Sequence, residues 1–240
     1  MWKKYIWVIG GNTGLGKNIV KTFKPRSVFS RWRTFNIDFD ANLDASENHI
    51  IDPTQTISEQ AENAVAKAKE FVEEYDAIII PTPDDDFQTS NIKDIDIFEK
   101  YEEATKRNVY PSMIAARIAG ELLAPWGLMV FQSSLEAFEK TNPDNFAVNL
   151  SKMQVWSTAL NIAEFEEVPQ NCQIVTILPS VLNTATNRNL KKGTQGEDWE
   201  DVDQVTSLIK MWWAGESRPE NRAFITFQKA SKKILLAKYG

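Results

Sequence analysis

A chain of 240 residues with 42% hydrophobic and 25% charged side chains can bury a core large enough for a single α/β domain, spanning 1–240, and is too apolar to stay disordered. Its formal net charge of −6 argues against nucleic acid as a partner, and no apolar run reaches the roughly 18 residues of a transmembrane helix. Cys172, the only cysteine, rules out an intrachain disulfide and a cysteine-built metal site, so a reducing interior, cytoplasmic or an organellar matrix, is expected.

Strand-like and helix-like segments alternate along the chain, the pattern of a doubly wound, mainly parallel sheet covered on both faces. Met1 to Ile9 runs into a glycine turn and reads as a first core strand, Tyr5–Ile9, and not as a signal peptide. A helix follows over Leu15–Phe23, then strands at Thr34–Asp38 and His49–Asp52. Ser58–Tyr75 reads as a helix capped by Ser58, with Ala61, Val65, Ala68, Phe71 and Val72 on one stripe. Ala77–Ile80 has the unbroken apolar character of a central strand. Beyond it the pattern predicts a long helix at Ile97–Leu123, a strand at Leu128–Gln132, a helix at Phe146–Glu166 and a strand at Cys172–Leu178. A helix at Val202–Ala214 and a last strand at Ala223–Phe227 bring the total to about seven strands, without a repeat or an interdomain linker. Most of the eight tryptophans are expected in the core.

Gly10, Gly14 and Gly16 sit in the turn between the first strand and the first helix, where bare backbone can approach a pyrophosphate resting on helix N-terminal amides. Leu15 shares that helix start. Asp38, at the end of the second strand, is placed to accept hydrogen bonds from ribose hydroxyls and to disfavour a 2′-phosphate, while Arg31 and Arg33 just before it leave NAD against NADP open.

This strand–turn–helix resembles the opening of the short-chain dehydrogenase/reductase family. The segment Ile177-Leu178-Pro179-Ser180-Val181-Leu182-Asn183-Thr184-Ala185-Thr186-Asn187-Arg188 is similar to a stretch typical of the dihydropteridine reductase branch, and Trp212, Trp213, Gly215, Arg218 and Pro219 extend the likeness. The resemblance implies a Rossmann-like domain holding NAD(H) or NADP(H), with Pro179 and Thr184 beside the nicotinamide. It further implies that Lys152 hydrogen-bonds the nicotinamide ribose, that Asn108 holds a water for a proton relay, and that Ser134, or its neighbour Ser133, lies near the substrate.

Two departures fall on functional positions. Val148 stands four residues before Lys152, where the family carries the tyrosine that moves the substrate proton, and a hydrocarbon has no ionisable proton to give. Pro81-Thr82-Pro83-Asp84-Asp85-Asp86-Phe87 replaces the small glycine-containing turn that the family places against the cofactor; its acidic run is expected to face solvent. Two readings stay open. In one the chain is a degenerate, catalytically impaired member serving as a binding or structural subunit, its cofactor retained or lost; in the other it is an active NAD(P)H-dependent reductase in which water or Tyr110 supplies the proton.

In the family the helices at 97–123 and 146–166 pair across a two-fold axis, so Met113, Ile114, Arg117, Trp156 and Leu160 are expected to line a surface for a homodimer or a heteromeric assembly. His49, the only histidine, has no evident triad or metal partners, and the acceptor pattern Asn149-Leu150-Ser151 falls in a predicted helix. Lys229 to Lys238 reads as a short basic, apolar tail able to touch a partner or a membrane surface.

Overall fold

The computed structural model describes residues 4–12, 14–25, 27, 30, 32–84, 93, 96–139, 143–190, 199–227 and 234–237. In chain order its elements are β1 (Lys4–Ile9), α1 (Gly14–Thr22), β2 (Trp32–Asp38), β3 (Glu47–Ile50), α2 (Ile57–Lys69), β4 (Tyr75–Ile80), α3 (Ile97–Leu122), β5 (Leu123–Gln132), α4 (Glu136–Glu139), α5 (Phe146–Ile162), β6 (Gln173–Leu178), α6 (Ala185–Leu190), α7 (Val202–Trp213), β7 (Ala223–Phe227) and β8 (Ile234–Ala237).

The two-residue period of a strand explains why a sheet so rich in isoleucine and valine carries helices on both faces. In β1, Ile6 and Val8 face a core shared with Leu15, Ile19, Ile209 and Trp212 of α1 and α7. Trp7 and Ile9 face the opposite core with Ala64, Ala115, Ile118 and Val155 of α2, α3 and α5. β4 and β5 divide their side chains in the same way: Ile79 and Val130 go to the first core, Ile78 and Met129 to the second. Each such fully buried aliphatic side chain contributes about 1.5–3 kcal/mol of transfer free energy, which is why aliphatic residues dominate the central strands.

The strands lie in the order β3-β2-β1-β4-β5-β6-β7-β8. All neighbouring pairs are parallel except β7 and β8. The chain winds outward from β1 in one direction and from β4 in the other, so a crevice opens at the carboxyl ends of these two strands, where Gly10 and Pro81 follow them.

Several expected elements shift. The second helix is capped by Thr56, not Ser58: the Thr56 hydroxyl accepts from the Glu59 amide at 3.3 Å while the Glu59 carboxylate accepts from the Thr56 amide at 2.8 Å. It ends at Lys69 because Tyr75 is drawn into β4, its ring edge-on to Trp7 at 5.0 Å and its hydroxyl donating to the Ala68 carbonyl. Phe71 therefore lies past the helix and stacks edge-on against Phe35. β5 starts at Leu123, five residues early, and accommodates the extra length with a register break opposite Tyr75–Ala77 and a left-handed Trp126 at φ 64°. That bend is clamped by Asn171, whose Oδ1 accepts from the Trp126 amide, and by Arg218, which donates to the Trp126 and Trp213 carbonyls. Trp7, Trp212 and Trp213 are core residues as expected, but Trp126 is exposed. Part of the C-terminal segment read as a basic, apolar tail is an eighth strand, β8, antiparallel to β7. Its period was hidden because only four residues pair.

Candidate functional site

The glycine turn is held from behind by asparagines. The Gly11 amide donates to Asn36 Oδ1 at 3.1 Å, and Asn42 Nδ2 donates to the Gly11 carbonyl at 2.7 Å. Asn48 ties the two together, its Oδ1 accepting from Asn36 Nδ2 and from the Asn42 amide. Gly14 opens α1 at φ +51°, and Gly16 packs so closely under the turn that a Cβ there would stand 2.0 Å from the Gly10 carbonyl oxygen. Leu15 points away from the crevice into the α1–α7 core.

Asp38 ends β2 beside this turn. Its carboxylate accepts from the Asn12 amide and from the Phe39 amide, both at 2.8 Å. Burial pushes its pKa above the ordinary value, with these two hydrogen bonds opposing the shift. Arg33 lies at the other end of β2, five residues and roughly 16 Å away, and donates to the Ser30 and Trp32 carbonyls. It does not share the site with Asp38, and Arg31 lies outside the described residues. In front of Asp38 a cavity of about 260 Å³ is lined by Ile9, Gly10, Ile37, Gln60, Pro83 and Tyr110 among others.

On the other side of the glycine turn the chain's own polar groups bind one another, beside a second cavity of about 550 Å³ lined by Gly14, Lys17, Lys21, Thr184 and Arg188 among others. Lys152 on α5 is 5% exposed, and its ammonium donates to the Thr82 hydroxyl and, at 3.2 Å, to the Pro83 carbonyl. Asp84 turns inward, against the expectation of a solvated acidic loop: its Oδ2 accepts from the Thr184 hydroxyl at 2.5 Å and its Oδ1 from Asn187 Nδ2 at 2.8 Å. The same Oδ2 lies 3.2 Å from where a Cβ on Gly14 would be. Asp85, Asp86 and Phe87 lie outside the described residues.

The remaining expected residues fall around these. Asn108 is fully buried on α3 and donates to the Ser151 hydroxyl at 2.9 Å, which in turn donates to the Val148 carbonyl. Val148 is half-buried, one turn before Lys152. Ser133, buried, donates to the Lys152 carbonyl at 2.9 Å and so fixes the helix, while Ser134 is half-buried. Pro179 is buried at the exit of β6, its carbonyl accepting from the Leu135 amide. Tyr110 lines the Asp38 cavity. Ile114 is buried inside the α2–α3–α5 core and cannot line an association surface, whereas Met113 is 49% exposed. Arg117 is bound to Glu62, which ties α3 to α2, and to Glu121 on its own helix. Among the described residues, no group of three His, Cys, Asp or Glu side chains is placed to hold a metal ion. Sequence reasoning missed Thr82, Asp84 and Asn187 as partners of the crevice, and only the place of Asn187 within the 177–188 segment hinted at one of them.

A parallel sheet whose chain path changes direction between β1 and β4, a glycine turn and an acidic residue closing β2 define a single Rossmann-like α/β domain. No family model matches the chain. It is 26% identical over 231 residues to a dihydropteridine reductase of Dictyostelium discoideum, an overlap of 95% of this chain and 96% of that one. A 4-hydroxyisoleucine dehydrogenase complexed with NADH superposes with a TM-score of 0.72 at 20% identity, over 93% of this chain and 96% of the other. A short chain dehydrogenase from Escherichia coli CFT073 complexed with NADPH gives 0.75 at 14% identity, over 95% and 98%. At these identities the structural likenesses establish the fold.

Tested against a nicotinamide dinucleotide, the residues offer a carboxylate for a ribose at Asp38 and, beside the glycine turn, a second open cavity with Lys17, Lys21 and Arg188 in its lining. The Asp38 side has an open cavity and a carboxylate for a ribose, whereas Lys152 and Thr184 on the other side are engaged by Thr82, Pro83 and Asp84.

Proposed function

We propose that this chain is a degenerate short-chain dehydrogenase/reductase-like protein, catalytically impaired, that serves as a binding or structural subunit. The observation that carries the reading is the capture of the Lys152 ammonium by Thr82 and Pro83. Two of the three ammonium protons are held there and turned toward the 81–84 loop, and with Val148 taken as the counterpart of the family tyrosine no acid stands beside it. Apolar side chains left exposed on α3 and α5, Phe98, Met113, Phe146 and Met153, support a subunit role by offering a surface for a second copy or another chain.

Purified protein mixed with NADH and quinonoid dihydropterin should show no turnover above the spontaneous rate. Steady reduction at about 1 s⁻¹ or faster, within the ordinary range of enzymes, would overturn the reading. Light scattering should find a dimer or a stable complex; a monodisperse monomer that recovers no partner on native purification counts against the subunit role.

The alternative, an active NAD(P)H-dependent reductase of the dihydropteridine reductase type, is favoured by the 26% identity that runs through nearly the whole chain. It requires the 81–84 loop to leave both Lys152 and Thr184, and it requires water or Tyr110 to supply the proton.

A further inference from the structure

The strands also border a cavity at their amino ends, opposite the sheet edge that carries the glycine turn. It measures about 260 Å³ and lies where Tyr5 pairs with Arg33 and Phe35 with Glu47 across β1, β2 and β3. Arg33 and Asp38 are five residues apart on β2, roughly 16 Å, so this space stands apart from the groups around Asp38 and Lys152. Its volume falls below the roughly 300–1,000 Å³ of pockets for drug-sized ligands and suits a smaller molecule.

Four aromatic rings make its walls. Phe35 and Tyr75, 4% and 1% exposed, form the floor, and Tyr5 and Phe71 stand at the rim. Neighbouring rings meet at steep angles: 75° between Tyr5 and Tyr75, 72° between Phe35 and Tyr75, and 62° between Phe35 and Phe71. Rings set edge to face enclose a box instead of stacking, and their negative faces attract an ammonium ion. The protein shows this attraction itself, since the Lys67 ammonium, paired with Glu70, lies 5.1 Å from the centroid of the Phe71 ring. Two charged residues complete the lining. The Glu47 carboxylate is exposed and has no hydrogen-bond or ion-pair partner among the described residues, whereas the Arg33 guanidinium donates to the Ser30 and Trp32 carbonyls. Their charges offset each other, so the rings decide what the cavity prefers.

We propose that this cavity is a binding site for a small alkylated ammonium ion of the choline type, its cationic head among the four rings and Glu47 beside it. A head wrapped in methyl groups gives up less hydration on entry than a bare ammonium, so walls of this kind favour it over a primary amine. The site is independent of whether the crevice takes a nucleotide.

Titration of the intact chain with choline chloride and with its uncharged isostere 3,3-dimethylbutan-1-ol, at constant ionic strength, tests this. Choline should bind at least about tenfold more tightly than the alcohol. In NMR spectra it should move the amide resonances of Phe35, Glu47 and Phe71 and leave those of Gly10 to Asn12 in place. Phe71→Leu, apolar without a ring, and Glu47→Gln, of the same shape without the charge, should each narrow the gap by about threefold or more. Choline that fails to bind, or binds no more tightly than the alcohol, overturns the proposal. So does an unchanged gap in either variant, or a set of shifts confined to the glycine turn. Should a variant fail to fold, the ratio and the shifts in the unaltered chain still decide. Sedimentation with phosphatidylcholine vesicles that Phe71→Leu abolishes would assign the head group to a membrane lipid and overturn a free ligand.

Discussion

At the ends of β1 and β2 the groups that support the glycine turn are side chains locked to backbone, Asn36, Asn42 and Asn48 behind and Asp38 at the side, and the space in front of them is open. At the ends of β4 and β6 the polar groups reach across the crevice instead, Lys152 to Thr82 and Pro83, Thr184 and Asn187 to Asp84, and occupy it. The same sheet edge therefore carries a preserved half and a rewritten half. The comparison teaches that four residues after a central strand can tie together side chains from α5 and the loop after β6 without any change in the order of the strands.

The largest effect should come from the preserved half. Gly16→Ala puts a methyl group 2.0 Å from a backbone oxygen that cannot yield without moving the turn, and should cost about 3 kcal/mol, read as a lower urea midpoint at unchanged slope. Gly14→Val imposes a β-branched side chain on a left-handed backbone and crowds Asp84, at a cost of about 1–2 kcal/mol. It should also abolish any affinity for NAD(H); unchanged affinity would mean that the nucleotide binds elsewhere.

In the rewritten half, Lys152→Met leaves the Thr82 hydroxyl and the Pro83 carbonyl without their donor and should cost about 1 kcal/mol. Amide exchange should speed up at Thr82 and Asp84 while Gly11 and Asn12 keep their protection, and equal acceleration in both halves would erase the distinction between them. A smaller effect concerns acid. Burial raises the pKa of Asp38 above its ordinary 3.8, so the folded state holds its proton more tightly than the unfolded chain does. Its contribution to stability is then fully present below pH 3.8 and is lost as pH rises through the folded-state value. The stability of Asp38→Asn relative to the unaltered chain should accordingly improve as pH rises across that window, as measured by unfolding at a series of pH values. Val148→Tyr should have the least effect. In an open site a restored phenol beside Lys152 would raise turnover by roughly 10² to 10⁴, but with the crevice filled no gain in NADH-dependent reduction is expected. A large gain would show that the filled half opens in solution.

The sheet and its two layers were readable from the alternation of apolar runs, because burial on both faces leaves the same mark on β1, β4, β5 and β6 whatever the site contains. So were the places of the glycine turn and of Asp38, each tied to a local pattern of strand, turn and helix, whereas Lys152 was singled out by the family resemblance alone. The start of α2 at Thr56, the early start of β5 and the strand β8 were not, since a cap two residues away, a left-handed Trp126 and a four-residue pairing depend on neighbours distant in the chain.

By itself, then, the sequence determined an α/β chain with a glycine turn between its first strand and helix, a lysine four residues after Val148 and a Pro-Thr-Pro-Asp exit from β4. Only the tertiary structure decided what that exit does. The order of charges from 84 to 86 reads as a solvated run, and nothing local tells Asp84 to turn inward. The partners that make it do so, Thr184 and Asn187, lie 100 and 103 residues further along and meet it only because β4 and the loop after β6 reach the same crevice.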